Sequence, residues 1–294
     1  MSVHPLHALV ASRVLVLDGA MGTMLQRLDL QEDAFHAPGI PEATSQQGNN
    51  DVLCLSRPDA IAAIHRQYLE VGADLISTNT FNANAVSQRE YGTETLVYAI
   101  NRAGAAIARR EADAFSTPKR PRFVCGSIGP TGKSASLPPN ADDPAHRDIR
   151  FRELAEAYRT QIRGLLDGGV DVLLVETVFD ALNAKAALYA AAVEFEARGT
   201  VFPVIVSASL ASADRLLTGQ TVEAYCAAVA HAPGLLAIGL NCGFGAAQLA
   251  PVLRRLKGVA PCHVSAHPNA GLPDAFGGYA QTPEQMRWEL EPLL

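Results

Sequence analysis

The sequence predicts an α/β fold in which parallel strands alternate with helices, and three observations lead to this prediction. Short apolar runs rich in β-branched residues recur along the chain and are nearly continuous, as in strands buried on both faces of a parallel sheet. Amphipathic segments that end in glycine lie between most of these runs. Polar residues follow the runs at their carboxyl ends, where barrels of this class build their active sites.

Seven apolar runs qualify as strands. They begin at residues 13, 73, 123, 170, 202, 235 and 261 and read RVLVLDGA, ADLISTNT, FVCGSIGP, VDVLLVET, FPVIVSASL, LLAIGLNC and PCHVSAHPN. Seven strand–helix units predict a (β/α)8 TIM barrel of which this chain holds only seven units. The first and seventh strands would then be open edges of the sheet.

The predicted helices begin and end at recognisable signals. Three amphipathic segments stop at glycines, namely Gly72, Gly168 and Gly199. The last segment, TPEQMRWELEPLL, opens with a capping box between Thr282 and Gln285. No linker divides the chain, so residues 1–294 are expected to form a single barrel domain that lacks the last strand. Long loops at 29–57 and 134–148 follow strand ends, where they would shape an active site.

Composition narrows the function classes. The chain has 294 residues with 48% hydrophobic and 18% charged residues, which is typical of a globular protein. A net charge of −6 without a dense Lys/Arg cluster argues against nucleic-acid binding. The chain has no signal-peptide pattern and no apolar run of membrane-spanning length, so we expect a cytoplasmic protein without a membrane partner. Five irregularly spaced cysteines argue against a disulfide framework.

Two segments resemble phosphate-binding motifs but lack residues that these motifs require. SIGPTGKS, residues 127–134, has serine at the first glycine position of a P-loop, and the SASLPPNADDP that follows cannot begin a helix. GFGAAQ, residues 243–248, lacks the third glycine of a dinucleotide fingerprint and lies after the sixth predicted strand instead of the first. Neither motif predicts a nucleotide cofactor.

Several polar residues lie where predicted strands end: Asp18, Gly19, Gly22, Asn79, Asn82 and Glu176. Taken singly, each is equally well explained by a turn, a helix cap or a hydrogen-bonded loop. In a barrel these ends meet at one mouth and form one pocket. Asp18 and Glu176 together suit an ammonium group, and the backbone amides of DGAMGT suit a carboxylate. The predicted ligand is therefore a zwitterionic amino acid.

Cys242 differs from the other cysteines because it ends a strand at this mouth and precedes Gly243. On position alone it is a candidate metal ligand or nucleophile. The other four cysteines, Cys54, Cys125, Cys226 and Cys262, are expected to be packing residues. A catalytic pair of Cys242 with His267 is weaker, because nothing in the sequence orients that histidine.

Read together, six motifs resemble a known family. VLDGAMGTMLQ, NDVLCLSRPDAIAAIHRQYLEVGADLISTNTFNAN, GSIGPTGKSASL, VETVFDALNAKAAL, GLNCGFGA and SAHPNAGLPDAFGGY are similar, in order, to the homocysteine-binding domain of cobalamin-dependent methionine synthase. Betaine- and S-methylmethionine-dependent homocysteine methyltransferases share that fold, but DGAMGT and SIGPTGK look more like the cobalamin-dependent branch.

The resemblance implies a zinc barrel that binds homocysteine. Cys242 matches the first zinc ligand, and Asp18 and Glu176 match the residues that hold the amino group. The substrate-binding set it implies is Asp18, Gly19, Ala20, Gly22, Thr23, Asn79 and Glu176. Zinc would hold the homocysteine thiolate, which accepts a methyl group from methylcobalamin, the methyl coming originally from 5-methyltetrahydrofolate. Because the chain has no cobalamin-ligand motif, cobalamin- and folate-binding modules are expected on another domain or chain.

One departure from the family pattern leaves the function open. The family supplies two further zinc cysteines as an adjacent pair, GGCC, on the eighth strand, and this sequence stops at Leu294 without such a pair. One hypothesis is a homocysteine S-methyltransferase module of methionine synthase. The alternative is a truncated, non-catalytic homocysteine- or amino-acid-binding remnant without a complete zinc site. A third is an unrelated barrel enzyme that uses Asp18 and Glu176 as acid and base.

Overall fold

The strands form one parallel sheet in a computed structural model that describes residues 4–212, 214–271 and 281–293. The described strands are β1 (Leu75–Ser77), β2 (Phe123–Ile128), β3 (Val172–Val178), β4 (Val204–Ala208), β5 (Leu235–Gly245) and β6 (His263–Asn269). They lie side by side in chain order, each hydrogen-bonded to the next. The sheet curls into part of a barrel, because the end of β6 reaches Asp18, which lies beyond the opposite edge.

The first predicted strand is not a regular strand, so the expected count of seven units is wrong for the described residues, which contain six strands. Residues 14–18, here called the edge segment, are extended and make one parallel bridge, between Leu17 and Leu75. Val14 and Val16 are 55% and 56% exposed. This segment pairs with β1 along one side only, and its exposed valines gain little from burial there.

Among the described residues there are eleven α-helices, most of which cover the outer face of the sheet. They are α1 (Pro5–Ser12), α2 (Met21–Gln26), α3 (Leu53–Ser56), α4 (Pro58–Glu70), α5 (Ala85–Gln88), α6 (Val97–Phe115), α7 (Phe151–Asp167), α8 (Ala181–Arg198), α9 (Val222–Val229), α10 (Ala246–Val259) and α11 (Pro283–Leu290). The predicted stops are confirmed, since Gly168 and Gly199 follow α7 and α8 directly. The Thr282–Gln285 capping box is also confirmed. Every helix among the described residues is too short or too polar to span a bilayer.

Strand periodicity divides the core into two layers. Leu75, Cys125, Val172, Leu174 and Ile205 share one buried cluster inside the curl, to which α1 contributes Leu6. The alternate residues of the same strands, such as Val124 and Leu173, pack outward against the helices. Because side chains alternate along a strand, residues two positions beyond an inner one also face inward.

The long polar loop at 29–57 is packed rather than loose. The fully buried amide of Asn49 donates hydrogen bonds to Gln46, Gln88 and Thr93, at 3.0 to 3.3 Å. The loop ends in the short helix α3, which carries Cys54 into a buried position. These contacts fix the loop over the carboxyl end of β1.

Ion pairs close the amino end of the sheet. Asp74, which precedes β1, accepts two hydrogen bonds of 2.8 Å from Arg13 and lies 3.6 Å from the buried Arg122. Asp171, which precedes β3, accepts a 2.6 Å hydrogen bond from Arg109. Each carboxylate at this end therefore has a cationic partner.

Candidate functional site

The inner face of the sheet changes from apolar to polar at its carboxyl end. Two residues beyond the inner apolar positions lie Ser77, Ser127, Glu176 and Ser207, and Asn241 occupies the corresponding place on β5. Asp18 ends the edge segment beside Ser77. Asp18 and Glu176, two of the polar strand ends predicted from the sequence, therefore lie at one mouth, as a curled parallel sheet requires.

Asp18 is a buried acid with one oxygen left free. Its Oδ2 accepts a 2.8 Å hydrogen bond from the backbone N–H of Ser77, while Oδ1 has no partner among the described residues. Burial raises the pKa of Asp18 to about 8, and the nearby Glu176 adds to this rise. The free oxygen is a ready acceptor for a ligand's N–H groups.

Glu176 is the second acid of the mouth. Its Oε1 accepts a 2.6 Å hydrogen bond from the hydroxyl of Ser127. The β3–β4 register shifts between Val175 and Val178, and such an irregularity re-aims the side chains around it. Burial raises the pKa of Glu176 to about 7. Among the described residues no lysine or arginine faces either acid, so the mouth holds two carboxyl groups without a cation.

The turn after Asp18 leads directly into α2. Met21 is the first residue of this helix, so Gly22 and Thr23 belong to its first turn and Ala20 precedes it. A Cβ on Gly19 would lie 2.9 Å from the hydroxyl of Tyr68, which itself donates to the carbonyl of Ala20. The close approach of Tyr68 on α4 therefore explains why residue 19 is a glycine. No such contact explains Gly22, because a Cβ there would meet open space. Carboxylate binding by this turn stays a prediction.

Asn79 and Asn82 hold the 29–57 loop. The side-chain amide of Asn79 donates a 2.7 Å hydrogen bond to the carbonyl of Asn50. The backbone N–H of Asn82 donates to Asp51 at 2.9 Å, and burial raises the pKa of Asp51 to about 7. The hydrogen-bonded loop therefore accounts for the side chain of Asn79, whereas Asn82 contributes its backbone, and a substrate role for Asn79 stays a prediction.

Cys242 is the exposed cysteine of the five, and it lies at the mouth as predicted from its position. Its φ of +58° is in the left-handed region, as is the φ of +56° at Thr177 on β3. Such conformations cost non-glycine residues ~1–3 kcal/mol each, most of all β-branched ones, and persist where the surroundings enforce them. The amide of Asn241 donates hydrogen bonds to both residues, at 2.7 Å to the Thr177 hydroxyl and 3.2 Å to the Cys242 sulfur.

His267 has an orienting partner that the sequence did not reveal. Its Nε2 lies 3.0 Å from the carbonyl oxygen of Asp18, and burial lowers the pKa of the imidazole. This contact joins the end of β6 to the edge segment across the open side of the sheet. His267 therefore helps to close the mouth through this contact.

The described residues do not fit a zinc site. No three His, Cys, Asp or Glu residues in this part of the chain lie close enough together to hold a metal ion. Three other cysteines are buried, and Cys262 precedes β6 at the opposite end of the sheet. Cys242 is thus a single sulfur ligand, whereas structural and catalytic zinc sites use three or four protein ligands.

Comparison with known proteins identifies the family. A family model for homocysteine S-methyltransferases matches residues 15–293. The chain belongs to the homocysteine S-methyltransferase family. This agrees with the coarser part of the sequence resemblance, a methyltransferase that acts on homocysteine, and leaves the methionine synthase branch as a proposal.

Solved structures of the homocysteine methyltransferase MmuM from Escherichia coli share the fold of this family member. The oxidized form is 21% identical with a TM-score of 0.73, and the match covers 91% of this chain and 86% of that one. The metallated form is 23% identical with a TM-score of 0.72, covering 96% and 91%. The apo form is 22% identical with a TM-score of 0.68, covering 96% and 90%.

Sequence reasoning located the two acids and the exposed thiol of this family member but missed the residues that hold them. Ser127 and Asn241 were passed over because each lies inside a run that is otherwise apolar. A polar residue on the inner face at the carboxyl end of a buried strand was the available signal. The predicted motif SAHPNAGLPDAFGGY extends into residues 272–280, which lie outside the described residues.

Proposed function

We propose that this chain binds L-homocysteine and presents its sulfur for methylation, as the homocysteine S-methyltransferase module of a methionine synthase. The observation that carries the proposal is a pair of acids, the buried Asp18 and the half-buried Glu176, at one mouth without a cation. An ammonium group placed between them would supply the missing charge and satisfy the free Oδ1 of Asp18. The exposed Cys242 marks the end of the mouth to which the side-chain sulfur would extend.

The carboxylate of the amino acid would be held by the turn formed by Gly19, Ala20, Gly22 and Thr23. The first amides of a helix have no acceptor within the helix and attract anions. In this placement the ammonium group of the ligand lies between the two acids and its carboxylate lies at the backbone amides of the turn. A zwitterionic amino acid is therefore favoured over an uncharged thiol.

The methyl donor is proposed to be methylcobalamin held by another domain or chain, with 5-methyltetrahydrofolate as the earlier source of the methyl group. In the transfer, the homocysteine sulfur forms a bond to the methyl carbon, the bond from that carbon to the donor breaks, and the thiol proton leaves. The support for this donor is the similarity of DGAMGT and SIGPTGK to the cobalamin-dependent branch.

A second candidate, a non-catalytic homocysteine-binding module, is favoured by the thiol chemistry. A free thiol has a pKa of about 8.5, so most of it is protonated and poorly nucleophilic at neutral pH. In this family zinc is proposed to remove that proton, but the described residues supply one sulfur ligand. No step is therefore assigned to a metal in this chain.

The two candidates are separated by measuring binding and turnover on the same preparation. Calorimetry gives the affinity for L-homocysteine, and mass spectrometry gives methionine formed with methylcobalamin or with S-methylmethionine, with and without added zinc. Cys242→Ser, which removes the sulfur at the mouth, is the matched control variant in both assays. Methionine formed from methylcobalamin supports the methionine synthase proposal, and turnover with S-methylmethionine alone contradicts it. Binding without turnover supports the second candidate, and absence of binding contradicts both.

A further inference from the structure

Asn241 uses its whole side-chain amide inside the mouth. Its Oδ1 accepts hydrogen bonds from the backbone N–H of Thr177 at 3.0 Å and from the hydroxyl of Ser207 at 2.7 Å. Its Nδ2 donates to the hydroxyl of Thr177 and to the sulfur of Cys242. Both acceptor sites and both donors of the amide are thereby occupied, so the orientation of the group is fixed.

The partners of Asn241 are the two left-handed residues of the site. Thr177 and Cys242 are two of the three non-glycine residues with positive φ among those described, the third being Asp29. The β3–β4 register shifts around Thr177, and the β5–β6 register shifts after Asn241. A single buried amide therefore bridges two irregular strand ends that flank the mouth.

Thr177 is adjacent to Glu176, so whatever fixes the backbone of Thr177 also fixes the direction of that acid. Asn241 likewise precedes Cys242 and holds its sulfur. We propose that Asn241 is a positioning residue that couples the amine-binding end of the mouth, through Thr177 and Glu176, to the sulfur end at Cys242. This inference rests on the proposed function for its account of which ligand group binds at each end.

An ordinary buried amide would satisfy its hydrogen bonds with whatever polar atoms lie near. Asn241 makes three of its four hydrogen bonds with Thr177 and Cys242, the two residues of the site whose backbone has a positive φ. Ser207 supplies the fourth bond from β4 and is itself buried. The arrangement supports a role in placing site residues beyond a contribution to stability.

The test uses one variant that removes the whole bridge and one that removes a single bond with little change in volume. Asn241→Ala removes all four bonds. Thr177→Val removes the hydroxyl that Asn241 Nδ2 contacts and keeps the shape of the side chain, so it preserves the test if Asn241→Ala does not fold. Thr177→Ser keeps the hydroxyl and is the rescue variant.

Two readouts report the two ends of the mouth in each variant. The dissociation constant for L-2-aminobutyrate, which is homocysteine without its sulfur, reports the amine end. The rate of alkylation of Cys242 by iodoacetamide at fixed pH, divided by the rate at the half-buried Cys262 of the same molecule, reports the sulfur end. A purely structural role would move the urea midpoint and leave this rate ratio at its wild-type value in the folded protein.

We expect Asn241→Ala and Thr177→Val to weaken L-2-aminobutyrate binding at least fivefold and to lower the Cys242-to-Cys262 rate ratio at least fivefold. Thr177→Ser should restore both. Wild-type values of both readouts in Thr177→Val, or a change at one end alone, would overturn the coupling. Failure of the wild-type chain to bind L-2-aminobutyrate would count against the proposed function. A rate ratio that still falls in Thr177→Val would then support the link from Thr177 to Cys242 through Asn241, and a wild-type ratio would overturn it.

Discussion

The two ends of the sheet treat buried carboxylates in opposite ways. At the amino end Asp74, 3% exposed, is held by Arg13 and faces Arg122. Burial is the largest single influence and would raise the pKa of Asp74, but the hydrogen bonds from Arg13 and the backbone of Val16, together with the charges of Arg13 and Arg122, outweigh it, and the net shift is downward. At the carboxyl end Asp18, 5% exposed, has no cation, and burial raises its pKa to about 8.

This difference supports the proposal that the amino end of the sheet contributes to stability and that the carboxyl end binds a ligand. A buried charge with a partner is tolerated in the folded state, whereas one without a partner shifts its pKa and stays neutral. The amino end completes its ion pairs within the chain. The carboxyl end leaves Asp18 and Glu176 to be completed by a ligand.

The largest effect is expected at the amino end. Asp74→Asn should lower the free energy of unfolding by ~3–5 kcal/mol, because it leaves the buried Arg122 without its carboxylate. Urea unfolding at pH 7.5 measures this loss. Asp18→Asn is the matched control at the other end and should lose no stability there. Equal losses of unfolding free energy in the two variants would contradict the proposed difference between the two ends of the sheet.

Ligand affinity should fall on substitution at the carboxyl end of the sheet and stay unchanged on substitution at the amino end. Asp18→Asn and Glu176→Gln are each expected to weaken L-homocysteine binding by about 30-fold or more, since truncating one partner of a buried charged contact costs ~2 kcal/mol or more. Calorimetry at pH 7.5 measures the change. Arg109→Lys, at the amino end, serves as a control that should bind as the wild type does. Wild-type affinity in both acid variants would contradict the assignment of the mouth.

The pH dependence of stability should differ between wild type and the double variant Asp18→Asn/Glu176→Gln. The folded protein keeps protons on Glu176 and Asp18 up to about pH 7 and 8, whereas the unfolded chain releases them near pH 4. Between these limits the folded state binds more protons, so the free energy of unfolding contributed by these acids falls as pH rises through 7 and 8.

Urea unfolding from pH 5 to 9 measures this dependence in both proteins. The double variant should gain stability over the wild type as pH rises, and the difference between the two should be smallest near pH 5. A constant difference at every pH would mean that the two acids are already ionised in the folded wild type.

The smallest effect is expected at His65 on α4, which is fully buried and has no hydrogen-bond partner for either ring nitrogen among the described residues. Burial lowers its pKa to about 4, below the 6.5 of a free histidine. His65→Leu should stabilise the fold by ~1 kcal/mol at pH 7, because it removes unpaired polar atoms from the core.

The gain should increase at pH 5, since the unfolded wild type then binds a proton that the folded state excludes. Thermal unfolding at the two pH values measures it, with the exposed His231 changed to leucine as the control. A loss of stability in His65→Leu at both pH values would show that the imidazole has a partner.

Much of the fold was predictable because burial on both faces leaves a strong pattern in the sequence. The six strands β1–β6 and the glycine stops of the long helices follow from it. The edge segment was predicted as a full strand because RVLVLDGA has the composition of one, whereas its pairing with β1 is limited to one bridge and its valines are exposed. Asp18 and Glu176 were found because an acid at the end of an apolar run is conspicuous.

The supporting residues were not predictable in the same way. The role of Asn241 depends on the register between β3 and β5, which no local pattern contains. The partner of His267 depends on how far the sheet curls, because the two residues are 249 positions apart in the chain. Such contacts become visible only when the strands are placed side by side.

The central claim is that the two acids of the mouth bind the amino group of the ligand. The decisive experiment is calorimetric titration of the wild-type chain with L-homocysteine and with 2-hydroxy-4-mercaptobutyrate, which replaces only the amine by a hydroxyl. The account predicts that this replacement weakens binding at least 30-fold in the wild type and by less than threefold in Asp18→Asn/Glu176→Gln. Equal affinity of the wild type for the two compounds would contradict it.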